Sequence, residues 1–123
     1  YIDCGSNYYT DGPAHLRPVG ETAYAAELAD RMASRQTGTR IGAIVAHADL
    51  RDPDLDVVLD AHEQRGGGLF RGIRHAGARL DDPSARLLAG AAEPGLYADP
   101  DFRRGVARLG ERGLTFDAFQ FHF

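Results

Sequence analysis

The chain has 123 residues, of which 43% are hydrophobic and 26% are charged, a composition typical of one soluble globular domain. Its net charge of −4 excludes the broad basic surface that binds nucleic acid, and no apolar run is long enough to cross a bilayer. We therefore expect neither a nucleic-acid nor a membrane partner, and a cytoplasmic location. The single cysteine excludes an internal disulfide and a multi-cysteine zinc cluster.

Strand-like apolar runs alternate with helical patterns along the chain. We predict four strands, at about 1–4, 40–47, 69–75 and 114–122, with gaps long enough for crossover helices. This alternation predicts an α/β fold with a parallel sheet. Because the chain starts within one predicted strand and stops just past another, we expect 1–123 to be a single partial domain, an excerpt of a larger one.

The helices between these strands have start and stop signals. The first is predicted at 21–35, with an apolar stripe of Tyr24, Leu28 and Met32. Three Asp-Pro pairs predict later helix starts, because aspartate can cap exposed amides while proline occupies the first turn. These pairs are Asp52-Pro53, Asp82-Pro83 and Asp99-Pro100. The helix after the first pair is expected to end at Gly66-Gly67-Gly68, and the helix after the last pair near Gly113. Four strands with their helices amount to half of an eight-stranded barrel, although an open doubly wound sheet fits the same pattern.

Three of the predicted strands end in a histidine, at His47, His75 and His122. The ends of neighbouring parallel strands lie side by side, so these residues are expected to meet at one rim, where such folds keep their chemistry. Imidazoles there can relay a proton, polarise a carbonyl or orient a substrate. Histidines that only bind loop backbone or face solvent fit the same positions.

Two further residues belong to this predicted rim. Strand alternation sends Gly72 and Arg74 to one face and His75 to the other. Arg74 can bind a substrate carboxylate, and otherwise an arginine at this position requires an acidic partner. Gln120 shares a face of the last predicted strand with His122, which favours a polar pocket.

The remaining candidate residues have simpler interpretations. His62 lies on the apolar stripe of a helix and is expected to be a packed, hydrogen-bonded histidine. Cys4 has no evident neighbouring base, and His15 lies in a predicted loop. The sequence contains no HxH, HExxH or clustered carboxylate set, so no metal ligand can be assigned within it.

Five segments of the chain, taken in order and with their spacing, resemble a known family. They are Ile2-Asp3-Cys4-Gly5, Arg17-Pro18-Val19-Gly20-Glu21-Thr22, Ile44-Val45-Ala46-His47-Ala48-Asp49-Leu50, Phe70-Arg71-Gly72-Ile73-Arg74-His75, and Leu114-Thr115-Phe116-Asp117 running to His122. Together they resemble the amidohydrolase-related (amidohydrolase 2) family of TIM-barrel metal-dependent hydrolases, in the branch that contains sugar lactonases and the pyrone-dicarboxylate lactonase.

The resemblance implies a partial TIM (β/α)8 barrel, in which this chain holds about the second through fifth strands. It implies a full-length hydrolase that acts on a small carboxylated or sugar-derived lactone, whereas the excerpt alone is expected to be inactive. The family's metal or catalytic cluster uses paired histidines of the first strand, a later histidine and a late aspartate. A divalent, zinc-like metal would therefore be held by residues outside this chain.

Within the chain, His75 and His122 are the expected catalytic residues, and Arg74, His47 and Gln120 are the expected substrate-binding residues. The expected partner is a small-molecule substrate, and homo-oligomerisation is left open. Two alternatives stay open as well: a metal-dependent decarboxylase of aromatic acids on the same scaffold, and a non-catalytic ligand-binding α/β module.

Overall fold

Three short parallel strands and three α-helices alternate in the structure, a computed structural model that describes residues 1–35, 38–79 and 92–121. The strands are β1 (Ile44–Ala46), β2 (Phe70–Arg74) and β3 (Thr115–Asp117). The helices are α1 (Val19–Ser34), α2 (Leu55–Arg65) and α3 (Pro100–Glu111), with short 3-10 helices at Ala14–Leu16 and Leu96–Ala98. The predicted α/β class and parallel sheet are confirmed. The helix predicted after Asp82 lies outside the described residues.

The strands are arranged in chain order, β1-β2-β3, and both pairings are parallel. Ala46, Ile73 and Phe116 share one level of the sheet, and Arg74 is opposite Asp117 at the next. On the other side of β1, Ile2 forms a single parallel bridge with Val45. The strand predicted at 1–4 is therefore only one bridge, although its chain direction matches that of the sheet.

The last predicted strand was too long, because β3 ends at Asp117 rather than near residue 122. Beyond Asp117 the backbone bonds to a loop and a side chain instead of continuing the ladder. The Phe119 carbonyl accepts hydrogen bonds from the Gly77 amide at 3.0 Å and from the Tyr97 hydroxyl at 3.3 Å. Gln120, expected on a strand face, is consequently exposed in an irregular segment.

The helices form one layer beside the sheet. Helix α1 packs against α2 and β1, and Arg112, just after α3, forms ion pairs with Asp56 and Glu63 of α2 at 2.9 and 3.2 Å. Right-handed crossovers between parallel strands place successive helices on the same face, which accounts for this layer. The core between helices and sheet consists of Ala46, Ala48, Leu50, Leu55, Val58, Leu59, Phe70, Ile73, Leu96, Phe102 and Leu109.

Helix boundaries follow the predicted signals more closely than helix faces do. Asp99 caps α3, since its carboxylate accepts hydrogen bonds from the amides of Asp101 and Phe102 at 2.7 and 3.4 Å. Helix α2 ends directly before the glycine triplet, as expected, but it begins at Leu55, because Asp52 forms a turn by accepting from the Asp54 amide at 2.8 Å.

The predicted apolar stripe of α1 is confirmed only in part, since Leu28 and Met32 are partly buried. Tyr24 is 36% exposed, whereas the buried face of the helix includes Glu21, Thr22 and Ala25. This face is small and polar because Glu21 and Thr22 have hydrogen-bond partners in the interior, and buried polar groups are tolerated when they are paired. Apolar periodicity therefore marked the buried side of the helix but not its polar members, Glu21 and Thr22.

Two glycines of α3 provide a matched test of this packing. A Cβ atom on Gly105 would lie 2.1 Å from the Leu50 carbonyl oxygen, whereas a Cβ on Gly110 meets nothing within 4 Å. We expect Gly105→Ala to lower the free energy of unfolding by about 1–3 kcal/mol, because backbone must move. Gly110→Ala should raise it by up to about 1 kcal/mol through helix propensity. Urea denaturation measures both values, and equal effects would contradict the packing of α3 against Leu50.

Candidate active site

The side chains of His47 and His75 meet at the carboxyl ends of β1 and β2. Their ring centroids are 5.3 Å apart and their planes are nearly perpendicular, at 86°. Each histidine directly follows its strand, so parallel pairing of β1 with β2 brings the two together. The expected convergence is confirmed for this pair, whereas His122 lies outside the described residues.

Backbone hydrogen bonds hold His47 in place. Its Nδ1 atom lies 3.0 Å from the Arg74 carbonyl oxygen, to which it donates, so the ring ties the end of β1 to the end of β2. The His47 carbonyl oxygen in turn accepts a hydrogen bond from Nε2 of His62 at 3.1 Å. The main chain and the side chain of His47 are thus both fixed.

His62 is the packed histidine that the sequence predicts. It is fully buried, stacks on Phe70, and its Nδ1 accepts a hydrogen bond from the Thr22 hydroxyl at 2.8 Å. Burial lowers the pKa of His62 to about 4, because the charged ring would lose its hydration, and the hydrogen bond to His47 opposes this shift only in part. The ring is therefore neutral at physiological pH.

His75 is also neutral, for a similar reason. Burial lowers its pKa to about 4 and outweighs the attraction of the Asp49 carboxylate, whose Oδ1 lies 3.7 Å from Nδ1. The Leu50 amide donates to this Nδ1 at 3.3 Å, and the ring packs on Phe102 with centroids 5.3 Å apart. Asp49 is held away by Arg51, which donates to both of its carboxylate oxygens at 3.0 Å.

For Arg74 the sequence left two partners open, a substrate carboxylate or an acidic residue of the chain. The structure places an acidic residue beside it. Its Nη2 donates to Oδ2 of Asp117 at 2.8 Å, and both side chains are 28% exposed. The guanidinium carbon lies 5.4 Å from the centre of the Phe119 ring. Arg74 Nε is buried without a hydrogen-bond partner among the described residues. The roles predicted for Arg74, His47, His75, His122 and Gln120 stay predictions.

A buried carboxylate near the start of the chain was missed by the sequence analysis. Glu21 is only 1% exposed and accepts hydrogen bonds from the Tyr1 hydroxyl and the Ser6 amide, both at 2.7 Å, and from the Cys4 amide at 3.1 Å. Burial disfavours its charge, but these hydrogen bonds outweigh burial and lower the pKa of Glu21. Its position in the first turn of α1 gave no sign of this contact.

The Glu21 carboxylate influences Asp3, which receives hydrogen bonds from the Tyr8 hydroxyl at 3.0 and 3.1 Å. Burial, together with repulsion from Glu21, raises the pKa of Asp3 to about 6. Asp3 is also close enough to His47 for a charge on that ring to oppose the shift. An acid that titrates near neutrality therefore lies beside the first of the two rim histidines.

The described residues contain no group of three or more histidine, cysteine, aspartate or glutamate side chains that could hold a metal ion. In the same ranges, 1–35, 38–79 and 92–121, no helix has the length and apolar character needed to cross a membrane.

Comparison with known proteins finds a relative that matches most of the chain. The chain is 36% identical over 100 residues to an uncharacterized protein, y4mH, of Sinorhizobium fredii (strain NBRC 101917 / NGR234). The match covers 81% of this chain and 30% of the relative, so the chain spans less than a third of the relative's length. No protein-family model and no solved structure matches the chain.

The buried His62 predicts a specific pH dependence. Its pKa is about 4 in the folded chain and about 6.5 when unfolded, so unfolding takes up a proton between these values and stability falls as pH is lowered through this window. In His62→Gln, whose amide can still donate to the His47 carbonyl, this contribution is lost. The slope of unfolding free energy against pH should therefore decrease by up to about 1.4 kcal/mol per pH unit.

Thr22→Val is the matched control, because it removes the hydroxyl partner of His62 and keeps the titrating ring. It should lower stability at pH 7 by about 1–3 kcal/mol, through a buried acceptor left unpaired, and keep the pH slope. Urea unfolding at pH 4 to 7 gives both quantities. Parallel stability curves for wild type and His62→Gln would contradict a buried neutral His62.

Proposed function

We propose that this chain is part of a (β/α)8 barrel whose full-length protein hydrolyses small carboxylated or sugar-derived lactones, in the manner of the amidohydrolase-related family that its segments resemble. The strand order supports the barrel. A doubly wound sheet reverses its order at a switch point, whereas barrel strands follow one another as neighbours. The Ile2 bridge, β1, β2 and β3 follow chain order without reversal. The much greater length of the relative leaves room for further barrel strands.

One observation carries the functional part of the proposal: the rings of His47 and His75 meet at the adjoining carboxyl ends of β1 and β2, where Arg74 is the last residue of β2. Barrel enzymes keep their catalytic groups at this end of the strands. Two imidazoles and a guanidinium supply proton transfer, hydrogen-bond donation and positive charge, which are the requirements for binding and opening a carboxylated cyclic ester.

The reaction is the addition of water across the ester. The water oxygen forms a bond to the carbonyl carbon, the ring C–O bond breaks, and the proton lost by water ends on the released alkoxide to give a hydroxy acid. Arg74 binds the substrate carboxylate through its planar guanidinium. His75 is neutral and donates a hydrogen bond to the carbonyl oxygen, where negative charge develops. Gln120 stays an expected substrate-binding residue and His122, which lies outside the described residues, an expected catalytic residue.

The ion pair of Arg74 with Asp117 makes substrate binding by Arg74 testable, because the two carboxylates compete. With the full-length protein and a carboxylated lactone, Arg74→Ala should raise KM about 10- to 100-fold through the lost charged hydrogen bonds. Asp117→Asn frees the guanidinium and should lower KM by up to about fivefold. Steady-state kinetics measure both changes.

A lactone of the same ring size without a carboxylate is the matched substrate, and neither variant should change its KM. If the variants change the KM of both lactones equally, Arg74 does not recognise the substrate carboxylate. Release of carbon dioxide from an aromatic acid, with no lactone opened, would replace the proposal by a decarboxylase. Binding of small acids without turnover would indicate a ligand-binding module.

A further inference from the structure

The backbone holds the two rim histidines in opposite tautomers. A carbonyl oxygen can only accept, so His47 Nδ1, which faces the Arg74 carbonyl at 3.0 Å, carries the ring proton. A backbone amide can only donate, so His75 Nδ1, which faces the Leu50 amide at 3.3 Å, carries the lone pair. Because a neutral imidazole has one proton, Nε2 of His47 is an acceptor and Nε2 of His75 is a donor.

Both Nε2 atoms are free to meet a ligand. Neither has a hydrogen bond within the part of the chain that the structure describes, and the buried side-chain nitrogen without a partner there is Arg74 Nε. Neither Nε2 atom is therefore a buried, unpaired nitrogen within the described residues. The edge-to-face contact holds the ring with the acceptor Nε2 against the ring with the donor Nε2 at the strand ends.

We propose that His47 and His75 form an acceptor–donor pair for ester opening. His47 acts as the general base, and His75 donates a hydrogen bond to the carbonyl oxygen of the ester. This assignment rests on the proposed lactone hydrolysis for its substrate. As the water oxygen bonds to the carbonyl carbon, one water proton passes to His47 Nε2. That proton then passes to the ring oxygen as the ring C–O bond breaks, so His47 returns to its neutral form, and His75 keeps its proton throughout.

The surroundings suit these roles. As His47 takes up a proton, its Nδ1–H keeps the Arg74 carbonyl as its partner, which stabilises the charged ring. His75 faces Asp49 and Arg51 of the loop after β1, His47 at the end of β1 and the apolar ring of Phe102. Burial keeps it neutral in this setting, so it polarises the carbonyl oxygen without giving up its proton.

Substitution by asparagine or glutamine tests the two nitrogens of each ring separately. The side-chain amide of asparagine lies near the position of Nδ1, and that of glutamine lies near the position of Nε2. His47→Asn keeps a donor for the Arg74 carbonyl and removes the base at Nε2. His75→Gln keeps a donor at Nε2, whereas His75→Asn keeps an acceptor for the Leu50 amide and removes that donor. A purely structural role predicts that both asparagine variants are active.

The first experiment is independent of activity. Long-range proton–nitrogen correlation spectra of histidine-labelled full-length protein at pH 7 should show His47 as the Nδ1–H tautomer and His75 as the Nε2–H tautomer. The same tautomer in both rings would overturn the pair. If the spectra show the expected two tautomers but the protein opens no lactone, the pair stays a ligand-binding arrangement and the proposed function is rejected.

The second experiment measures lactone hydrolysis by the variants. His47→Asn should lower kcat about 100-fold or more, because it removes the general base. His75→Gln should retain at least about tenfold more activity than His75→Asn, since one oxyanion donor contributes about 10²- to 10³-fold. Lactone hydrolysis that both asparagine variants leave intact would overturn the catalytic assignment while leaving the lactonase proposal in place.

Discussion

The hydrogen bond from His62 to the His47 carbonyl is the contact on which the candidate site depends. The His62 ring is buried, and its Nδ1 accepts a hydrogen bond from the Thr22 hydroxyl of α1. Residues of α1, α2 and the end of β1 therefore meet at one imidazole. His47 then extends the chain of hydrogen bonds to the Arg74 carbonyl at the end of β2. Because buried polar groups lose stability when unpaired, every link in this chain restricts where the strand ends can lie.

The site lies on the border between the two faces of the sheet, and strand alternation explains its composition. His75 follows the parity of Ile73, which faces the core, and so it packs on Phe102 and becomes neutral. Arg74 has the opposite parity and is half-exposed, where it pairs with Asp117 of the neighbouring strand. One short strand end therefore supplies a neutral imidazole and a cation to the same rim.

The sequence predicted the features that follow from local pattern and strand direction. Parallel pairing and the position directly after a strand were enough to bring His47 to His75, and the apolar stripe of α2 was enough to bury His62. The polar part of the buried face of α1 could not be predicted, because Glu21 and Thr22 are buried through hydrogen bonds, which apolar periodicity does not detect. The early end of β3 depends on the contact of Phe119 with Gly77 and Tyr97, residues distant in sequence. Tautomers likewise depend on which backbone atom faces each ring nitrogen.

The most direct test of this account is the side-chain proton–nitrogen spectrum of His62 in water at neutral pH. The account predicts a neutral ring with a proton on Nε2 that exchanges slowly with solvent, because this nitrogen donates to the His47 carbonyl inside the core. A charged His62 ring at pH 6, or an Nε2 proton that exchanges as fast as that of an exposed imidazole, would contradict it.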